Sequence, residues 1–167
     1  MSIGILVGNP KQKSRTYHAA EAVARALTGR DPDFRLDLAE FGAALLDWSD
    51  PGVAAAVEQV TSARLVVVAS PTFKATYTGL LKVFLDRFAA GSLAGVVAIP
   101  LQLGGSWRHA LAPEVFLKPV LAEIVRPPRP ARCTCSTPTP VTIRPPALPR
   151  RRPCVSGCPS PEPNSQH

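Results

Sequence analysis

Three stretches of this chain combine residue types suited to holding a phosphate and a flat ring. The first, Asn9-Pro10-Lys11-Gln12-Lys13-Ser14-Arg15-Thr16, is a polar loop that leads from an apolar run into a helical pattern. Backbone N–H groups at a helix start are unpaired and the helix dipole is positive there, so an anion is favoured. Two hydroxyls and a guanidinium, from Ser14, Thr16 and Arg15, add donors around it. No G-x-x-x-x-G-K-[ST] is present, and Gly4 and Gly8 do not make G-x-G-x-x-G, so a mononucleotide phosphate fits better than a Walker A or dinucleotide loop. The alternative is that Ser14 or Thr16 only caps the helix. The second stretch, Ser70-Pro71-Thr72-Phe73-Lys74-Ala75-Thr76-Tyr77-Thr78-Gly79, sets two aromatics and a lysine in a connection longer than the usual ~2–6 residues, enough to wrap a planar ligand. Packing of Phe73 and Tyr77 on a sheet edge or a partner subunit is the plainer reading. In the third, Gly104-Gly105-Ser106-Trp107, the missing Cβ atoms let backbone approach a ligand closely, although a Gly pair alone is a turn. His109, just beyond, fits a structural or ring-edge contact better than acid–base work, and no side chain is assigned a catalytic role.

These loops are set by the elements around them. Ile3–Gly8 is a continuous apolar run, as in a strand buried on both faces of a parallel sheet. Apolar residues then recur at helical spacing from Thr16 to Leu27, with Gly29 at the C-cap position. Phe34–Leu38 alternates like a shorter, more exposed strand, and a weak helix follows over Val53–Val60. Arg64–Ser70 reads as a second buried strand, Thr78–Phe88 as a strong helix, Val96–Leu101 as a strand and Leu111–Ile124 as a helix. Alternation of this kind means crossover units, hence an α/β doubly wound parallel sheet with helices on both faces. Ligands in such sheets bind outside the carboxyl ends of the strands, which is where all three loops fall.

Composition narrows the possibilities. A chain of 167 residues is one domain, or one domain with a tail. Of its 19 Pro, twelve lie in Arg126–His167, together with all four Cys and seven of the Arg. That segment carries +6 of the net +7 charge. Residues 1–125 are nearly neutral, which argues against nucleic acid as a partner. No apolar run reaches the ~18 residues of a membrane span, and the N-terminus lacks the features of a signal peptide, so a cytoplasmic protein that does not engage membranes is expected.

Taken together, Gly8-Asn9-Pro10 with Ser14-Arg15-Thr16, then Ser70-Pro71-Thr72-Phe73-Lys74 running into Tyr77-Thr78-Gly79-Leu80-Leu81-Lys82, then Gly104-Gly105-Ser106 with His109 and Leu117-Lys118-Pro119-Val120-Leu121, resemble the NAD(P)H-dependent FMN reductases. The closest resemblance is to those serving alkanesulfonate monooxygenases, and it covers about Ile3–Ile124. It implies a flavodoxin-like fold, with FMN and NADPH or NADH as cofactors and hydride passing from nicotinamide to flavin. It also implies reduced flavin handed to a flavin-dependent monooxygenase, and a homodimer or homotetramer with Phe73, Tyr77 and Leu111–Ile124 as contacts. By the same resemblance Ser14, Arg15 and Thr16 hold the FMN phosphate, Pro71, Thr72, Phe73 and Lys74 line the isoalloxazine, and Gly104, Gly105 and Ser106 approach its pyrimidine edge. Lys11, Lys13 and Arg15 favour the extra phosphate of NADPH, or else form a solvated surface. The same fold also supports an FMN-bound quinone or azo reductase, or a non-catalytic electron carrier.

Arg126–His167 departs from the family, which continues with a fifth strand and a last helix. Pro is too frequent there for either, so the segment is expected to be a disordered tail. Cys133-x-Cys135 and Cys154-x3-Cys158 lack the usual zinc spacing, and no metal is expected. A Pro-rich partner-binding tail around Pro145–Pro149 is one reading. An out-of-frame translation fits better: shifting Cys133–Thr137 by one base permits Leu-Tyr-Leu-Leu-Asp, and Thr142–Arg144 permits Asp-Asp-Pro, both like the family's C-terminus. On that reading Val96–Leu101 is left as an apolar edge prone to aggregation, and solubility and activity fall below those of a chain with the family's usual end.

Overall fold

The computed structural model describes residues 2–125; the tail, with its four Cys and the readings placed on it, lies outside them. Strand β1 (Ile3–Val7) is buried at every position, as its unbroken apolar run requires. Helix α1 (Arg15–Thr28) ends at Gly29, whose φ of 72° lets its N–H return to Arg25 O at 2.8 Å. Strand β2 (Phe34–Asp37) is more buried than its alternation suggested, with Phe34, Leu36 and Asp37 all enclosed, and two 3-10 segments, Leu38–Glu40 and Gly42–Leu46, follow it. Then follow α2 (Pro51–Thr61), β3 (Leu65–Pro71), α3 (Gly79–Leu85), β4 (Val97–Leu103) and α4 (Lys118–Val125).

The strands form one parallel sheet in the order β2-β1-β3-β4, the flavodoxin-like arrangement. In register, Val7 lies against Asp37 on one side and Ala69 on the other, so all three loops issue from the same end. Alternation splits the apolar strands between two cores. Ile3, Ile5, Val7, Val67 and Ala69 face α1. Leu6, Phe34, Leu36, Val66 and Val68 face α2, α3, α4 and the 3-10 segments. Among the described residues α1 alone covers its face, and Ile99 and Leu101 there are only partly buried.

No described strand lies beyond β4. Val97 N donates to Arg64 O at 2.9 Å, and Leu103 O accepts from Thr72 N at 2.7 Å, so odd-numbered residues of β4 point their backbone groups at β3. The even-numbered ones, Ala98, Pro100 and Gln102, point to the open side, where Pro100 has no N–H to offer.

One expected helix is broken differently. Leu111–Ile124 is not continuous: a 3-10 turn (Trp107–His109) precedes a π-helical turn (Pro113–Leu117) that runs into α4. Pro113 opens the helical stretch, where a missing N–H costs no bond, whereas Pro119 lacks an N–H that an unbroken ladder would use.

Asp33 ties the start of β1, accepting from Ile3 N at 2.8 Å while Arg30 forks onto its two oxygens at 2.9 and 3.1 Å. The Ile3 amide first, then Arg30, holds this carboxyl below the ordinary aspartate range. A depressed native pKa contributes stability that is present above the unfolded value of about 3.9 and is lost as pH falls through the native one. Asp33→Asn is therefore expected to flatten the acid side of the stability profile; urea midpoints at pH 7 and at successive steps below pH ~4 check this, and parallel profiles for the two proteins contradict it.

Candidate functional site

Ser14 is the N-cap of α1: it is buried, and its Oγ accepts from Tyr17 N at 3.3 Å. The capping reading therefore holds, but a hydroxyl that accepts one bond still has its own proton to donate. His18 N returns to Ser14 O at 3.2 Å, which leaves the N–H groups of Ser14, Arg15 and Thr16 without a partner among the described residues. The Arg15 side chain is exposed and also unpaired there. Asn9 shapes the loop from within, its Oδ1 accepting from Lys11 N at 2.9 Å and its Nδ2 donating to Thr16 Oγ1 at 3.1 Å.

Of the three cations expected to serve an extra phosphate, Lys13 has partners within its own chain. Its Nζ lies 4.3 Å from the centre of the Tyr17 ring, 3.2 Å from the Tyr17 hydroxyl and 3.6 Å from Glu40. The Tyr17 hydroxyl, supported by Glu40, raises its pKa above the ordinary lysine value. Lys11 and Arg15 remain.

The second loop is a two-residue turn in which Phe73 N donates to Thr76 O at 2.9 Å and Thr76 N returns to Phe73 O at 3.2 Å. Lys74 and Ala75 at its tip take φ of 51° and 72°, and Phe73 is 53% exposed. Pro71 is buried as the last residue of β3, and Thr72 carries a buried Oγ1 without a hydrogen-bond partner among the described residues. Thr78, the N-cap of α3, joins this loop to the first. Its hydroxyl donates to Gly8 O at 2.5 Å and accepts from Leu81 N at 3.2 Å, while its N–H donates to Ser70 Oγ at 3.0 Å.

The strand before the third loop runs two residues further than its sequence suggests, so that Gln102 and Leu103 belong to β4 and the loop begins at Gly104. With its amide oxygen facing Tyr77 N at 2.9 Å and its nitrogen facing Ala112 O at 2.8 Å, Gln102 bridges the second loop to the segment after the third. Gly104 is required by His109: a Cβ there would come within 2.8 Å of His109 Cβ and 3.1 Å of Nδ1. Gly105 has open space, and Ser106 caps the following 3-10 turn through Arg108 N at 3.3 Å. His109 Nδ1, like Thr72 Oγ1, is buried with no described partner.

Asp37 was not singled out in the sequence. It closes β2, is 1% exposed, and accepts from Lys13 N at 2.9 Å and Ala39 N at 3.4 Å. The available signal was an acid closing the short alternating strand Phe34-Arg35-Leu36-Asp37 at its carboxyl end. No cluster of three or more His, Cys, Asp or Glu among the described residues could hold a metal, and no described helix is long and apolar enough to cross a membrane.

A flavodoxin-like parallel sheet with unpaired helix-start amides at the carboxyl ends of its strands is the α/β arrangement suited to holding a nucleotide phosphate. The chain belongs to the NADPH-dependent FMN reductase family, whose model matches residues 1–133. It is 34% identical to the FMN reductase (NADPH) of Escherichia coli strain K12 over 128 residues, covering 74% of this chain and 67% of that protein. It is 31% identical to the NADH-dependent FMN reductase SfnF of Pseudomonas putida over 126 residues, covering 71% of this chain and 68% of the relative. Among solved structures, an apo NADH:FMN oxidoreductase (EMOB) superposes with a TM-score of 0.67 at 40% identity, covering 75% of this chain and 70% of that one. The chain is thus an oxidoreductase whose cofactors are FMN and NAD(P)H.

Proposed function

We propose that this chain reduces FMN with NAD(P)H in the cytoplasm and passes the reduced flavin to a flavin-dependent monooxygenase of the sulfonate-desulfonating type. The observation that carries the flavin site is the row of unpaired N–H groups at Ser14, Arg15 and Thr16 with the free Arg15 guanidinium beside it. These residues fit a phosphate that bears two negative charges and several acceptor oxygens. Pro71, Thr72, Phe73 and Lys74 line the ring, the strained Lys74-Ala75 tip setting the angle of Phe73. Gly104, Gly105 and Ser106 offer backbone to its pyrimidine edge. When bound, FMN supplies the hydride acceptor; the protein supplies alignment and electrostatics, with no side chain acting as acid or base.

Exposure of the second and third loops supports a flavin that comes and goes. Phe73 is 53% exposed and Trp107 84% exposed. The same apolar residues, with Leu111 and Val115, support assembly as a homodimer or homotetramer, and light scattering that returns a monomer counts against it. Steady-state oxidation of NADPH and NADH tests the reaction itself. Turnover that scales with added FMN supports the proposal, whereas turnover only with a quinone contradicts it.

Arg15→Ala should remove one charge-assisted contact to the phosphate, worth about 1.5–3 kcal/mol, and so weaken FMN binding by roughly ten- to a hundredfold at unchanged melting temperature. Flavin fluorescence quenching measures this, and an unaltered binding curve would remove Arg15 from the site.

A further inference from the structure

The loop that offers the free N–H groups does not hold its shape by local contacts alone. Lys13 sits at φ 47°, a left-handed conformation that L residues with a Cβ disfavour. Its N–H donates to Asp37 Oδ2 at 2.9 Å across 24 positions of sequence. The register of β1 against β2 places Asp37 beside Val7, where the loop begins. The second carboxylate oxygen is occupied by Ala39 N at 3.4 Å. With Lys13 fixed in this way, its side chain lies back on Tyr17 and Glu40, and the next three residues keep their N–H groups open.

We propose that Asp37 is a positioning residue for anion binding, holding the Lys13 amide so that the N–H row of Ser14–Thr16 is preset for the flavin phosphate. This rests on the phosphate reading given above. Charge alone predicts the reverse, since a carboxylate opposes an anion bound nearby, so the sign of the effect separates positioning from simple electrostatics.

The test compares FMN with riboflavin, which lacks the phosphate, by fluorescence quenching on the full chain. Asp37→Ser keeps a hydroxyl able to cap Ala39 N but is too short to reach Lys13. Asp37→Asn keeps an acceptor for Lys13 and removes the charge. Asp37→Ser is expected to weaken FMN by about tenfold with riboflavin affinity unchanged, and Asp37→Asn to bind FMN within about twofold of wild type. A serine variant that keeps the wild-type preference for FMN overturns the role of Asp37, as does one that loses both ligands together, by unfolding or otherwise. An asparagine variant as weak as the serine one overturns it as well. Wild-type protein that binds FMN no more tightly than riboflavin overturns the phosphate reading itself.

Discussion

Gly8→Ala is expected to lower stability by about 3 kcal/mol and to weaken FMN binding at temperatures where the protein is still folded. The added Cβ would sit 2.4 Å from Leu81 Cβ and 3.0 Å from Leu81 Cα. Because the second of these is backbone, no rotamer change relieves it, and α3 must move as a whole. Leu81 is completely buried, so the helix has little room to shift. Moving it also breaks the Thr78 hydroxyl bond to Gly8 O, which joins the first loop to the second. The cost therefore combines overpacking, about 1–3 kcal/mol, with a buried carbonyl left unpaired, about 1–3 kcal/mol. Thermal melts should fall by roughly 10 °C, given about 3–6 °C per kcal/mol for a domain of this size. A variant that melts with wild type would show that α3 does not press on the end of β1.

Phe84→Ala should be costlier, about 3–5 kcal/mol. Phe84 is 0% exposed in the last turn of α3, with its ring edge-on to Phe88 at 5.5 Å and 71°. Truncation removes the largest fully buried side chain of that core and leaves a hole that rigid neighbours only partly fill. The urea midpoint should drop by about 2 M at unchanged slope. Phe73→Ala is the informative control, because the same chemical change on a half-exposed loop residue should leave the midpoint within experimental scatter. A loss below about 1 kcal/mol for Phe84→Ala would mean that α3 is not packed as described.

The contrast between these two phenylalanines shows what can be read from a sequence like this one. Periodicity located Phe84, since Leu80, Leu81, Phe84, Leu85 and Phe88 share a helical face, and apolar runs located β1, β3 and β4. That the sheet is parallel followed from the alternation of strands with helices. Other features depended on partners far away in the chain. The two 3-10 segments after β2 have no periodic signal of their own; they follow Leu38 and Leu45 into the core. The irregular path from Trp107 to Lys118 is tied back to the sheet by Gln102, whose amide faces Tyr77 N and Ala112 O, a partnership that no local pattern announces.

The site divides in the same way. Its three loops were legible because residue types there are chemically specific, and Ser14, Arg15, Thr16 and the Gly104–Ser106 turn lie at the strand ends where they were expected. The ties between loops were not legible. Thr78 reaches Gly8 across 70 positions and Asp37 reaches Lys13 across 24, and neither spacing carries a local pattern. Lys13 shows the complementary limit: its type suggested a phosphate contact, and nothing in the sequence pointed to the Tyr17 ring and Glu40 carboxylate beside it.

Pro100 gives the sheet a direction in which it grows poorly. A strand arriving alongside β4 would find N–H donors at Ala98 and Gln102 and a gap midway between them, so one of its carbonyls would be sealed in without a bond. Leaving such a group unpaired costs about 1–3 kcal/mol, and a stack of copies joined through this border would incur that cost again at every junction. Polymerisation is thus opposed by a term that multiplies with length, while a single, specifically matched neighbour meets it once.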